Sequence, residues 1–120
     1  MKILVVCKYG KNRSVYLKNY LETQGYETRA IGVNDPHLIE KVDASDMVIS
    51  VHPDILSELK GAVDLSDKKV ISLDIEDRPQ IVLTDKKQLD GNEWIAFQNE
   101  YVYSKLVEQM NKYLPFESKD

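Results

Sequence analysis

At 120 residues the chain has the length of one domain and is too short for a second independent core. Hydrophobic residues make up 42% and charged residues 30%, with five glycines and four prolines, which excludes disordered and fibrous classes. A net charge of −4 disfavours broad binding to nucleic acid or anionic lipid, and Cys7, the lone cysteine, excludes an internal disulfide, a cysteine-built zinc site and an intramolecular two-thiol couple.

The longest unbroken apolar run, Ile3 to Cys7, is five residues, against about 20 needed to span a bilayer. No signal-peptide pattern is present, so the expected location is cytoplasmic, without processing. Lys2 to Val6 is rich in β-branched residues without alternation, the pattern of a strand covered on both faces. A loop from Cys7 to Arg13 follows. Ser14 is placed to cap a helix carrying Leu17, Tyr20 and Leu21 on one side and stopping at Gly25. Tyr26 to Ile31 reads as a second strand. Asp35 as N-cap and Pro36 at the first helical position then start a short helix with Leu38, Ile39 and Val42 on its apolar side.

Met47 to Val51 reads as a third strand. His52-Pro53-Asp54 opens a helix with Ile55, Leu56 and Leu59 on one face, closed at Gly61. Lys69 to Leu73 repeats the buried-strand pattern, and Arg78 to Glu93 has no clear period. From about Trp94 the positions Ile95, Val102, Leu106, Met110, Tyr113 and Leu114 predict one long amphipathic helix ending before Pro115. Trp94 and the tyrosines of that helix read as packing residues, and His37 as surface polar. The expectation is one domain over residues 1–115 and a frayed tail over 116–120.

Strands separated by helices imply crossover connections, hence a three-layer α/β fold: a four-stranded parallel sheet with helices on both faces. Ligand sites of such sheets lie beyond the carboxyl ends of the strands. Cys7 to Ser14, His52 to Asp54 and Asp74 to Pro79 leave strands on that edge.

Cys7-Lys8-Tyr9-Gly10-Lys11-Asn12-Arg13-Ser14 sets three cations between a strand and a helix in an otherwise acidic chain. Unpaired backbone N–H groups and the positive end of the helix dipole both favour an anion there, and the same field favours thiolate over thiol. Arg13, six residues after Cys7, can return to grip two oxygens of a phosphate held by the loop. Ser14 can donate its hydroxyl to the sulfur. Gly10 offers the positive φ that a tightly curled anion nest needs. The substrate-binding candidates are therefore residues 8 to 14, with Cys7 as nucleophile and no metal or other cofactor.

Cys-x5-Arg-Ser directly after the first strand resembles the low-molecular-weight protein tyrosine phosphatase superfamily, and Ala44 to Val51 looks like that family's third strand with its preceding acidic turn. The family commonly has Gly and Asn two and three residues after the nucleophile, where this chain has Tyr9 and Gly10. Tyr9 is placed to form a wall of the pocket. Asn12, directly before Arg-Ser, instead resembles the RNA polymerase tail phosphatases.

The resemblance implies a protein tyrosine phosphatase that hydrolyses aryl phosphates through phosphocysteine, with an Asp on a late loop as general acid. Asp77 is the first choice and Asp74 the alternative; Arg78 stands where the family's Asp-Pro pair would have Pro79 follow directly. His52 faces either the site or its own helix start. The expected partner is a phosphorylated protein or a small aryl phosphate, not nucleic acid or a membrane. Other readings are a phosphocysteine carrier of the phosphotransferase enzyme IIB type, an arsenate reductase, for which the resolving cysteines are missing, and a non-catalytic phosphate-binding regulatory module.

Overall fold

The computed structural model describes residues 1–83, 89 and 91–116. Strands β1 (Lys2–Cys7), β2 (Glu27–Gly32), β3 (Met47–Ser50) and β4 (Lys69–Ser72) form one sheet in the order β2-β1-β3-β4, parallel throughout. Helices α1 (Arg13–Thr23), α2 (Leu38–Asp43) and α3 (Pro53–Ala62) make the crossovers. Right-handed crossovers that run in opposite directions from the centre of a sheet put their helices on opposite faces, which gives the expected three layers. After β4 come the single turn α4 (Pro79–Val82), then α5 (Gly91–Phe97), a π-helical turn (Gln98–Val102) and α6 (Tyr103–Asn111).

Ile3 to Cys7 and Met47 to Ser50 are buried without a break, as central parallel strands covered on both faces should be. The reading of Lys69 to Leu73 as another such strand is corrected. In β4 only Ile71 is buried and Lys69 and Ser72 are exposed, because this strand has a neighbour on one side only. Chain order reverses between β1 and β3, so the crevice of the sheet opens beyond their carboxyl ends, and Cys7 is the last residue of β1.

Three helix starts differ from expectation or refine it. Ser14 lies inside α1, fully buried, and Asn12 takes the cap position without a side-chain capping bond. Asp35 accepts from the His37 N–H at 2.8 Å, closing a turn that precedes α2 instead of capping the helix itself. His52 does cap α3: its Nδ1 accepts from the Asp54 N–H at 3.1 Å, with Pro53 at the first helical position.

The predicted long C-terminal helix is interrupted by the π turn. Val102, Leu106 and Met110 are fully buried, yet Ile95 is 53% exposed, while Phe97 and Gln98 are buried. One residue more in a turn rotates everything N-terminal to it by about 100°, which carries Ile95 off the core face and brings Phe97 onto it. Tyr113 lies past the helix end and is exposed. Phe116 is not frayed, because its ring packs on Tyr26 and its N–H donates to the Tyr26 hydroxyl at 2.9 Å. Residues 117–120, and residues 84–88 and 90 of the segment without period, lie outside the described residues. Among the described residues no helix is long and apolar enough to cross a membrane.

Candidate active site

The loop between β1 and α1 curls because two glycines let it fold back on the end of β2. Gly10 has φ of +71°, and a Cβ there would fall 2.5 Å from the Gly32 nitrogen and 2.8 Å from the Ile31 carbonyl carbon. A Cβ on Gly32 would in turn meet the Tyr9 carbonyl carbon at 2.8 Å. Cys7 pairs with Gly32 in the sheet, so the close approach follows directly from the register of the two strands. The Gly10 N–H donates to Cys7 Sγ at 3.1 Å, and Sγ lies 2.9 Å from Ser14 Oγ. The sulfur therefore has two hydrogen-bonding partners at the floor of a cavity of about 520 Å³ lined by Cys7, Lys8, Tyr9, Lys11, Asn12, Arg13 and Asp77 among others.

Arg13 and Ser14 continue the buried face of α1 that Leu17 and Leu21 occupy further along, so the helix aims both at the end of β1. Arg13 is held from the other side of the crevice. It donates from Nη1 to the Ile75 carbonyl at 2.5 Å, and its Nε lies 3.3 Å from Asp77 Oδ2. The three loop cations thus divide. Lys8 turns to Glu58 on α3, with Nζ 3.1 Å from Oε1, whereas Lys11 stays exposed on the cavity wall and Arg13 faces the late loop. Tyr9 is 76% exposed and stands on the rim.

The segment from Leu73 to Arg78 has no regular structure, and side chains from elsewhere fix its backbone. Gln109 on α6 accepts from the Asp74 N–H at 2.9 Å and donates to the Asp74 carbonyl at 3.0 Å. The Ile75 N–H donates to the Val51 carbonyl. Gln98 Nε2 donates to the Asp77 carbonyl at 3.3 Å. Of the two candidate acids, Asp77 lines the cavity with Cys7, and the Asp74 side chain is 76% exposed and is not part of either cavity wall around Cys7 and Arg13. Glu76 takes a bidentate pair from Arg78 at 2.6 and 3.0 Å, and Arg78, with burial acting against it, holds the Glu76 carboxyl below its ordinary value.

A second cavity of about 540 Å³ adjoins the first across Lys8, Tyr9, Arg13 and Asp77. Ile55, Pro79, Leu89 and Trp94 supply its apolar walls and His52, Asp54 and Glu76 its polar ones. His52 caps α3 through Nδ1, its helix-start reading, and lines this second cavity and not that of Cys7, with Nε2 3.4 Å from Glu76. Trp94, read from sequence as packing, is part of the wall. Gln98, Glu58 and Gln109 were not anticipated. For Gln98 a signal existed: it stands four residues before Val102 in the series Val102, Leu106, Met110, a polar residue in a buried stripe. Among the described residues no group of three or more His, Cys, Asp or Glu is arranged to hold a metal ion. Comparison of the chain with protein-family models, with curated proteins and with solved structures gives no match.

Proposed function

We propose that the chain is a cysteine-dependent phosphomonoesterase of the protein tyrosine phosphatase kind, acting in the cytoplasm, where a free thiol stays reduced. The observation that carries the reading is the assembly around one sulfur. Cys7 Sγ sits between Ser14 Oγ and the Gly10 N–H on a loop leading into a helix N-terminus, with Arg13 and Asp77 on the same cavity. The thiolate attacks phosphorus in line, forming the S–P bond as the ester P–O bond breaks. Loop N–H groups and Arg13 hold the non-bridging oxygens. Asp77 gives its proton to the leaving oxygen, then as carboxylate takes one from the water that cleaves S–P and releases inorganic phosphate. Ser14 donates to the departing sulfur.

The Asp77 side chain occupies the Nε edge of Arg13. A phosphate dianion carries more charge and takes that edge over, which turns Asp77 toward the ester oxygen at the mouth of the second cavity. The aromatic and apolar walls there, Tyr9, Trp94, Leu89 and Ile55, suit an aryl leaving group. Hydrolysis of p-nitrophenyl phosphate by wild type, with none by Cys7→Ser, is the expected result. Asp77→Asn should be slower by about 10²- to 10⁴-fold, the usual contribution of a general acid, and Asp74→Asn close to wild type. Equal rates for wild type and Cys7→Ser, or no hydrolysis by wild type at any pH, would overturn the reading.

A further inference from the structure

We propose that Gln98 is a positioning residue that fixes the nucleophile loop and the acid loop relative to one another, an inference that rests on the phosphatase reading. Gln98 is 1% exposed, the most buried amide among the described residues, and both ends of its side chain are used. Its Oε1 accepts from Asn12 Nδ2 at 2.7 Å, and its Nε2 donates to the Asp77 carbonyl at 3.3 Å. Asn12 directly precedes Arg13, and Asp77 carries the proposed acid. One amide therefore ties the Asn12 side chain of the nucleophile loop to the backbone of the acid loop.

The bonds form a chain with a single direction. The Tyr103 hydroxyl donates to Asn12 Oδ1 at 2.5 Å, Asn12 donates to Gln98, and Gln98 donates to Asp77. Such a series polarises each member in the same sense and strengthens it. Burial raises the Tyr103 pKa, which keeps its hydroxyl protonated as the first donor, and its ring stacks on Tyr16 with centroids 4.0 Å apart. The π turn begins at Gln98. Gln98 starts that turn on the buried stripe, while the extra residue turns Ile95 out to solvent and leaves this side of the helix to Gln98 and Phe97. The same use of Asn12 explains why its side chain does not cap α1, leaving the helix N-terminus to an anion.

Gln98→Met keeps the volume and removes both hydrogen bonds. If Gln98 positions the acid, the variant loses more turnover on phenyl phosphate, whose leaving group needs the proton, than on p-nitrophenyl phosphate, by about tenfold in the ratio of kcat values. That extra loss disappears when Asp77→Asn is already present, because the two changes then act through the same group. If Gln98 also positions the nucleophile loop, orthovanadate inhibits the variant about tenfold less well.

Equal losses on both substrates with unchanged vanadate inhibition would mark a merely structural residue and overturn the proposal, as would full additivity with Asp77→Asn. Should Gln98→Met not fold, Tyr103→Phe removes only the first bond of the chain. It is expected to weaken vanadate inhibition several-fold with the leaving-group ratio unchanged, and no change in either would overturn the proposal. The wild-type protein separates the two ideas. Vanadate binding without turnover ends the phosphatase reading, and weaker vanadate binding by Gln98→Met still supports the positioning of the loop.

Discussion

Gly32→Ala tests whether the curl of the loop from Cys7 to Arg13 depends on a residue outside the loop itself. The added Cβ would lie 2.8 Å from the Tyr9 carbonyl carbon and 3.1 Å from both the Gly10 nitrogen and the Lys8 oxygen. Ordinary contact begins at 3.4 Å, so the loop backbone must retreat by about 0.6 Å, and no flexible side-chain end is available to yield instead. Overpacking of this kind costs about 1–3 kcal/mol, a fall in Tm of roughly 4–15 °C for a chain of this size.

The same retreat moves the Gly10 N–H away from Cys7 Sγ and opens the anion nest. Since a 1 Å misplacement costs about 10²-fold, kcat/KM on p-nitrophenyl phosphate should fall roughly tenfold or more, with weaker vanadate inhibition. The control is Gly61→Ala in α3, where a Cβ meets nothing within 4 Å and the helix should gain up to about 1 kcal/mol. Thermal melts and steady-state kinetics on both variants decide the matter. A Gly32→Ala protein with wild-type Tm and wild-type vanadate inhibition would refute the argument that β2 supports the loop.

Ser14→Ala removes a hydroxyl 2.9 Å from Sγ and should lower kcat by about 10- to 100-fold, the worth of a hydrogen bond to a charged group of roughly 1.5–3 kcal/mol, and a burst of nitrophenol would report accumulating phosphocysteine. Arg78→Ala releases the Glu76 carboxyl. Because the folded-state value is depressed, the stabilisation is present above the ordinary value of 4.5 and is lost as pH falls through the lower folded value. Urea melts should therefore show wild type ahead of Arg78→Ala by less than about 1 kcal/mol at pH 7, Arg78 being half exposed, and a vanishing difference in strong acid. Phe116→Ala, by stripping the ring from Tyr26, should cost about 3 kcal/mol in the same melts; no loss would return residue 116 to the tail.

Those elements whose cause is local were legible in the sequence. The unbroken apolar runs of β1 and β3, the His-Pro start of α3 and the spacing that brings Ser14 to the Cys7 sulfur and Arg13 to the same cavity are each set within a few residues. What could not be read depends on partners distant along the chain. The Glu58 carboxylate that Lys8 pairs with lies fifty residues on. Gln98 and Tyr103, which claim both ends of the Asn12 amide, lie more than eighty residues on. A single inserted residue in the last helix leaves the apolar period intact on either side, so Ile95 matched the α-helical template and is nonetheless turned to solvent. The exposed character of β4 was hidden similarly, since composition does not reveal which strand ends up at a sheet's edge.

The two halves of the crevice are mounted on very different supports. Cys7 closes the central strand β1, flanked by β2 and β3, so its amide belongs to the part of the sheet that opens only when the whole domain unfolds. Asp77 hangs on an irregular segment joined to the rest through two glutamine amides, one arginine and the bonds from the Leu73 and Ile75 N–H groups to the Ser50 and Val51 carbonyls. Fluctuations short of global unfolding should thus detach Asp77 while the thiol stays in place. Amides of residues 74 to 78 should exchange with solvent deuterium orders of magnitude faster than those of residues 3 to 7, and bound phosphate, by engaging Arg13, should narrow that gap.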